Sequence, residues 1–320
     1  MILHLSATIR CDLAKRTFGY VTKARPYMSP VPLVLPDFDP VLLQLGPVAI
    51  RWYALAYVGG VLFGWMYAAR LLKKEVLWPH DRAPITREQL EDLILWLFVG
   101  IILGGRIGYI LFYDLGPVLA NPIQALKVWE GGMSFHGGIT GVAVAGILFA
   151  RKYKVSPYSL GDLLACAAPI GLFLGRVANF INAELWGRTT DAPWGMVFCN
   201  DFIRAMYREC PAGPLPRHPS QLYEAVLEGL VLFAVAFVLA HIYKQLKRPG
   251  LIMGVFIAGY GIFRTIVEMF REPDEQMLPF FKNVITMGQS LSLIMVLIGG
   301  WLIWRALSGK TQNSSEDKTV

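Results

Sequence analysis

Three arginines stand inside apolar runs of this chain, where a hydrocarbon interior tolerates a charge least. Arg176 ends the apolar stretch from Leu163 to Leu174 in the sequence Leu174-Gly175-Arg176-Val177-Ala178-Asn179. Arg106 lies within Leu103-Gly104-Gly105-Arg106-Ile107-Gly108-Tyr109, and Arg264 within Tyr260-Gly261-Ile262-Phe263-Arg264-Thr265. A permanent cation near hydrocarbon depth is costly unless an anion meets it. A guanidinium donates two parallel hydrogen bonds to a phosphate and does not lose its proton. The chemistry these residues suggest is an intramembrane anion site, with phosphate as the anion that fits best.

Neighbouring polar residues refine that reading. Tyr260, Arg264, Glu268 and Arg271 recur at intervals of four, four and three, which places them on one helical face. Either Arg264 and Glu268 neutralise each other for folding, or Glu268 orients an arginine whose other donors face a ligand. Arg176 and Asn179 lie three apart, with Asn182 and Glu184 following at the outer rim. The asparagines can equally serve as hydrogen-bonding glue between helices. Arg176 needs a counter-charge, yet Asp162 is four turns away and is expected to pair with Lys154 instead. In Trp129-Glu130-Gly131-Gly132-Met133-Ser134-Phe135-His136-Gly137-Gly138, four glycines flank a histidine at a membrane boundary. His136 is a candidate base, with a structural donor as the plainer alternative.

The elements that position these groups follow from hydropathy. Hydrophobic residues make up 55% of the 320 and charged ones 17%, which excludes an ordinary soluble domain. Mean hydropathy is +0.47. Seven windows are long enough to cross a hydrocarbon core of about 30 Å: 48–70, 91–113, 132–150, 158–180, 222–243, 250–270 and 287–306. They are expected to be helices, because lipid cannot satisfy open backbone groups. The fold class is therefore an all-α polytopic membrane protein of seven transmembrane helices with an outer, periplasmic loop domain.

Lysine and arginine collect after the first, third, fifth and seventh windows: Arg70, Lys73, Lys74, Arg82 and Arg87; Arg151, Lys152 and Lys154; Lys244, Lys247 and Arg248; Arg305 and Lys310. The positive-inside rule makes those ends cytoplasmic. The N-terminus and the loops at 114–131, 181–221 and 271–286 then lie outside, and the C-terminus inside. The basic residues 1–27 fit this poorly, so a start at Met28 is expected. Residues 28–307 form the membrane domain with an insertion at 181–221, and 308–320 read as a disordered cytoplasmic tail. Cys199 and Cys210 share the outer insertion, where an oxidising compartment permits a disulfide and two free thiols are the alternative. Neither a metal nor another cofactor is expected, and no nucleic acid is an expected partner.

From about Asp37 to Leu307 the chain resembles the bacterial prolipoprotein diacylglyceryl transferase family. The resemblance rests on Gly104-Gly105-Arg106-Ile107-Gly108-Tyr109, the Gly131–Gly138 segment, Gly175-Arg176-Val177-Ala178-Asn179-Phe180-Ile181-Asn182, Arg217-His218-Pro219-Ser220-Gln221-Leu222-Tyr223-Glu224 and Gly259-Tyr260-Gly261-Ile262-Phe263-Arg264. The family usually has glycine at the position of Ala178, and the basic extension is not typical of it. The resemblance implies an inner-membrane enzyme that moves the diacylglyceryl group of phosphatidylglycerol to the lipobox cysteine of a prolipoprotein and releases glycerol phosphate. It implies His136, Arg176 and Arg264 as catalytic residues and Tyr53, Asn179, Glu184, Tyr260 and Glu268 as substrate-binding ones; Arg106 joins the latter as an intramembrane arginine.

Two rivals are weighed against this reading. An anion or lipid transporter can also line its path with arginines. An intramembrane serine protease is prompted by Ser134 beside His136, but the spacing is poor for a nucleophile and its base.

Overall fold

The computed structural model describes residues 33–46, 48–272 and 287–309. The basic extension with Met28, nearly all of the expected 271–286 loop and the tail beyond 309 lie outside the described residues. The chain opens with a short strand β1 (Leu33–Val34) and a hairpin of β2 (Val41–Leu45) and β3 (Val48–Arg51). The first long helix, α1, runs Trp52–Leu72, followed by α2 (Arg87–Tyr113), short α3 (Leu115–Ala120), α4 (Phe135–Tyr153) and α5 (Pro157–Ile181). After the insertion, which contains β4 (Met196–Val197) and α6 (Asp201–Tyr207), come α7 (Ser220–Ile242), α8 (Leu251–Glu268) and α9 (Met287–Leu307).

Among the described residues, six helices are long and apolar enough to cross a bilayer: α1, α2, α5, α7, α8 and the Gln289–Leu307 part of α9. The protein is therefore a polytopic membrane protein. The remaining window, 132–150, folds as α4, whose hydropathy is lowered by His136 at one end and by Arg151 and Lys152 at the other. Two departures from the all-helical expectation are small two-stranded sheets. Residues 48–51, assigned from sequence to the first span, are strand β3, paired antiparallel with β2. The strand follows Gly46, whose φ of +58° suits the left-handed corner between the strands.

Local chemistry sets the helix starts. Thr86 and Gln89 form a reciprocal capping box on α2, Ser134 caps α4 and Ser156 caps α5 ahead of Pro157. Asp162 behaves differently from its expected pairing with Lys154. Its carboxylate accepts the backbone N–H groups of Gly250 and Met253, both at 2.7 Å, and so caps α8 from α5. The donors at a helix start carry partial positive charge, which explains how a fully buried aspartate is held.

Close backbone approach packs the helices. A Cβ on Gly141 of α4 would lie 1.9 Å from the carbonyl oxygen of Gly100 on α2, so only glycine fits there. One end of the bundle is a solid apolar core built from Leu71, Trp78, Leu93, Phe149, Leu163, Leu246 and Ile252. Those residues lie at the ends of α1 and α4, the starts of α2, α5 and α8, and the connections between them. The candidate site residues lie at the opposite helix ends, so alternating chain direction gathers them at one end of the molecule.

That end carries the insertion after α5, whose Ala183, Phe198, Ile203 and Ala212 form a small core with Leu35 from the start of the described chain. Strands β1 and β4 pair in parallel, Asn200 caps α6, and Cys199 and Cys210 are bonded, with Cα atoms 5.4 Å apart. Arg217 donates to the carbonyls of Ala212 and Gly187 within the insertion and ties it to the segment after α8 through the carboxylate of Glu272.

Candidate active site

Arg176 near the end of α5 and Arg264 near the end of α8 meet on α7, not on each other. Glu224, fully buried at the start of α7, is paired with Arg176 Nε at 2.9 Å, Arg264 Nη1 at 2.7 Å and Arg271 Nη1 at 3.1 Å. Glu268 holds the other terminal nitrogen of Arg264 at 2.9 Å, one helical turn away. Glu228, one turn beyond Glu224, lies 3.6 Å from Arg176 Nη2. Tyr260 is hydrogen-bonded to Arg176. Three helices thus contribute to one ionic cluster. From Ala225 to Val231 the winding of α7 widens to a π-helix, a local feature that recurs at functional sites.

Of the face expected from the 4-4-3 spacing, α8 carries Tyr260, Arg264 and Glu268, and the Arg264–Glu268 pair forms; the helix ends at Glu268, and Arg271 lies beyond it, bridged to Gly187. Each terminal guanidinium nitrogen carries two N–H groups, so the pairing of Arg264 leaves donors for a ligand. Arg176 and Arg264 keep 17% and 14% of their side-chain surface accessible, whereas Glu224 has none. The carboxylate is therefore the buried foundation, and the arginines are its reachable face.

Asn179 is buried and its side chain hydrogen-bonds to Glu184. The chain turns sharply here: Ala183 and Leu185, on either side of Glu184, both have positive φ, 53° and 57°. Non-glycine residues adopt this region at a cost, and the contacts that hold them are the backbone bond from Glu184 to Asn179 and the hydrogen bonds that Ser220 and Gln221 donate to the carbonyls of Leu185 and Glu184. Partial desolvation lifts the Glu184 carboxyl above its usual range, against the opposing Asn179 hydrogen bond and Arg51 cation. Tyr53 accepts a hydrogen bond from Tyr57 at 2.9 Å, and this pair lies within electrostatic reach of Arg176 and Glu184. At the same end His218 lies 3.1 Å from the Tyr223 hydroxyl, and burial holds its imidazole below the usual histidine range.

Two predicted site residues stand apart from the cluster. Arg106 is committed to backbone: Nε donates to Ala125 O at 3.0 Å, Nη1 to Gly131 O at 2.8 Å and Gly132 O at 3.2 Å, and Nη2 to Gln124 O. It orders the segment that leads into α4, which is a structural use of an arginine expected to bind substrate. His136 is exposed in the first turn of α4, and its ring has no hydrogen-bond partner among the described residues.

The residues that sequence reasoning missed are Glu224 and Glu228. Their signal was available: two acids four apart at the start of an apolar window, in a chain whose intramembrane arginines lacked counter-charges. Arg271, expected on the helical face and given no role, lies past the end of α8 and binds Glu224 from there.

Such a cluster can grip a phosphate and stabilise negative charge as it moves onto a leaving oxygen. The description of the prolipoprotein diacylglyceryl transferase family matches residues 40–305. The phosphatidylglycerol–prolipoprotein diacylglyceryl transferase of Phenylobacterium zucineum (strain HLK1) is 55% identical over 278 residues, which cover 86% of this chain and 95% of that protein. The protein of the same name from Allorhizobium ampelinum is 54% identical over 284 residues, covering 88% and 95%. That from Caulobacter vibrioides (strain NA1000 / CB15N) is 50% identical over 298 residues, covering 89% and 98%. By this match over most of its length, the chain belongs to the prolipoprotein diacylglyceryl transferase family.

Proposed function

We propose that this protein transfers the diacylglyceryl group of phosphatidylglycerol to the thiol of a prolipoprotein's lipobox cysteine, forming a thioether and releasing glycerol phosphate. The observation that carries the reading is the assembly of Arg176, Arg264 and Arg271 around Glu224 in a chain of this family. The names of the relatives support transfer and give no support to transport.

The reaction is displacement at a glycerol carbon: the S–C bond forms, the C–O bond to phosphate breaks, and the thiol proton leaves. A thiol with a pKa of about 8.5 is only slightly ionised near neutrality, so a base or a positive field must assist. Exposed His136 takes that proton. Arg176 and Arg264 hold the phosphate and stabilise the charge that develops on its leaving oxygen. Glu268 and Glu224 fix the two guanidinium planes, Asn179 and Glu184 meet headgroup hydroxyls or position Arg176, and Tyr53 and Tyr260 donate to phosphate or glycerol. Arg106 serves binding indirectly, through the Gly131–Gly132 backbone it orders.

We place the protein in a bacterial cytoplasmic membrane with α4 as the seventh span. The site end and the insertion at 181–221 face the periplasm, and the C-terminus faces the cytoplasm. The lysine and arginine asymmetry of the loops supports this orientation. The test is an assay of the purified protein in nanodiscs with phosphatidylglycerol and a lipobox peptide, following peptide mass and released glycerol phosphate. A diacylglyceryl mass gain that disappears when the peptide cysteine is replaced by serine is the expected result. Anionic-lipid binding without either product would overturn the reading.

A further inference from the structure

Among the described residues, the ionic cluster contains three arginines, Arg176, Arg264 and Arg271, and three glutamates, Glu224, Glu228 and Glu268. With these six described groups ionised their charges cancel, and a lipid phosphate arrives with one negative charge more. A buried site does not accept an unbalanced charge cheaply. Either a carboxylate swings away from its arginine or one of them takes a proton.

The geometry separates the three acids. Glu224 is paired with three guanidinium nitrogens at 2.7 to 3.1 Å, and Glu268 with one at 2.9 Å. Glu228 has only the 3.6 Å pair with Arg176. It is fully buried, and neither of its carboxylate oxygens has a hydrogen-bond partner among the described residues. It sits within the π-wound turn of α7. The charges that face it are Glu224 on its own helix, Arg176 on α5, Arg264 on α8 and Arg271 just beyond α8, with the Tyr260 hydroxyl also nearby. Of the groups in this cluster, Glu228 loses least by giving up its charge. A buried carboxylate without hydrogen bonds calls for an explanation, and a proton that comes and goes supplies one.

We propose that Glu228 takes up one proton from solvent when the phosphate of phosphatidylglycerol binds, so that the buried cluster stays neutral; this rests on the transferase reading above. Glu228 is then a positioning residue for charge: as it is neutralised, Arg176 is released from it toward the phosphate. The phosphodiester keeps a single negative charge across the neutral range and brings no titration of its own.

The sign of the linkage follows. If a proton is bound together with the lipid, affinity falls as pH rises, by at most about tenfold per pH unit for one proton. The test is calorimetric titration of phosphatidylglycerol into phosphatidylcholine nanodiscs holding the full chain, in buffers of different ionisation enthalpy, with transfer to a lipobox peptide followed in the same preparation. Wild type is expected to take up close to one proton per lipid. Glu228→Gln is expected to bind with no uptake and with affinity that no longer changes with pH, and Glu228→Asp to keep the uptake. Difference infrared spectra of the wild type are expected to gain a protonated-carboxyl band on lipid addition that the glutamine variant lacks. An active wild type without proton uptake, or a glutamine variant that retains it, overturns the proposal. A wild type that makes no thioether overturns the transferase reading beneath it.

Discussion

At the scale of single residues the site is organised by a carboxylate rather than by its cations. Glu224 binds one nitrogen from each of three arginines and is fully buried, so removing its charge strands them. Breaking one side of a buried pair costs about 3 kcal/mol or more. Glu224→Gln is accordingly expected to lower the unfolding temperature of the detergent-solubilised protein, read by tryptophan fluorescence, as well as to abolish transfer. Arg264→Lys should behave differently. A lysine retains the charge near Glu224 but cannot span Glu224 and Glu268 while also presenting paired donors to a phosphate. We expect turnover to fall by roughly 100-fold or more with the unfolding temperature nearly unchanged. Near-normal turnover of the lysine variant in the peptide assay would remove Arg264 from the mechanism.

At the scale of elements, the helix ends do the positioning, and glycine contacts set how far apart the helices lie. Gly141 on α4 touches the Gly100 backbone of α2 so closely that any side chain must push the pair apart. Gly141→Leu is expected to cost about 2 kcal/mol by overpacking. It should also reduce activity without touching the ionic cluster, because α4 carries His136 and the Gly131–Gly132 carbonyls that Arg106 holds lie just before it. The check is the unfolding temperature together with phosphatidylglycerol affinity. The expected pattern is a loss of stability and turnover with lipid binding at Arg176 and Arg264 retained. Lipid binding lost in proportion to turnover would show that α2 and α4 shape the anion site itself.

For the whole molecule, one end of the bundle is closed by an apolar core and the other is covered by an insertion that forms a small core with Leu35. The Cys199–Cys210 bond closes a short loop, with a sequence separation of 11, inside that insertion. Removing a bond of this loop size costs about 3 kcal/mol in the chain-entropy picture. That cost should fall mainly on the insertion, since neither cysteine belongs to the membrane helices. Cys199→Ser combined with Cys210→Ser is expected to speed proteolysis within 183–219 while the membrane helices stay intact, as judged by fragment mass. Cleavage spreading into α7 or α8 would mean that the insertion and the bundle unfold as one unit.

Membrane character, six of the spanning helices and the face shared by Tyr260, Arg264 and Glu268 were legible in the sequence, because hydropathy and helical period are local properties of adjacent residues. The sequence also showed that Arg176 required an anion. Which anion it found was a question of helices brought together from distant parts of the chain, and only the tertiary structure gave Glu224 to Arg176, Arg264 and Arg271 at once. The same holds for Asp162, whose partners are the unpaired N–H groups at the start of α8, 88 and 91 residues away. For Arg106, the apolar context was legible, but its backbone carbonyl partners were not, since any residue offers a carbonyl and only the folded loop brings those four within reach. Charge and hydropathy are written residue by residue, whereas the pairing of buried charges depends on how helices pack.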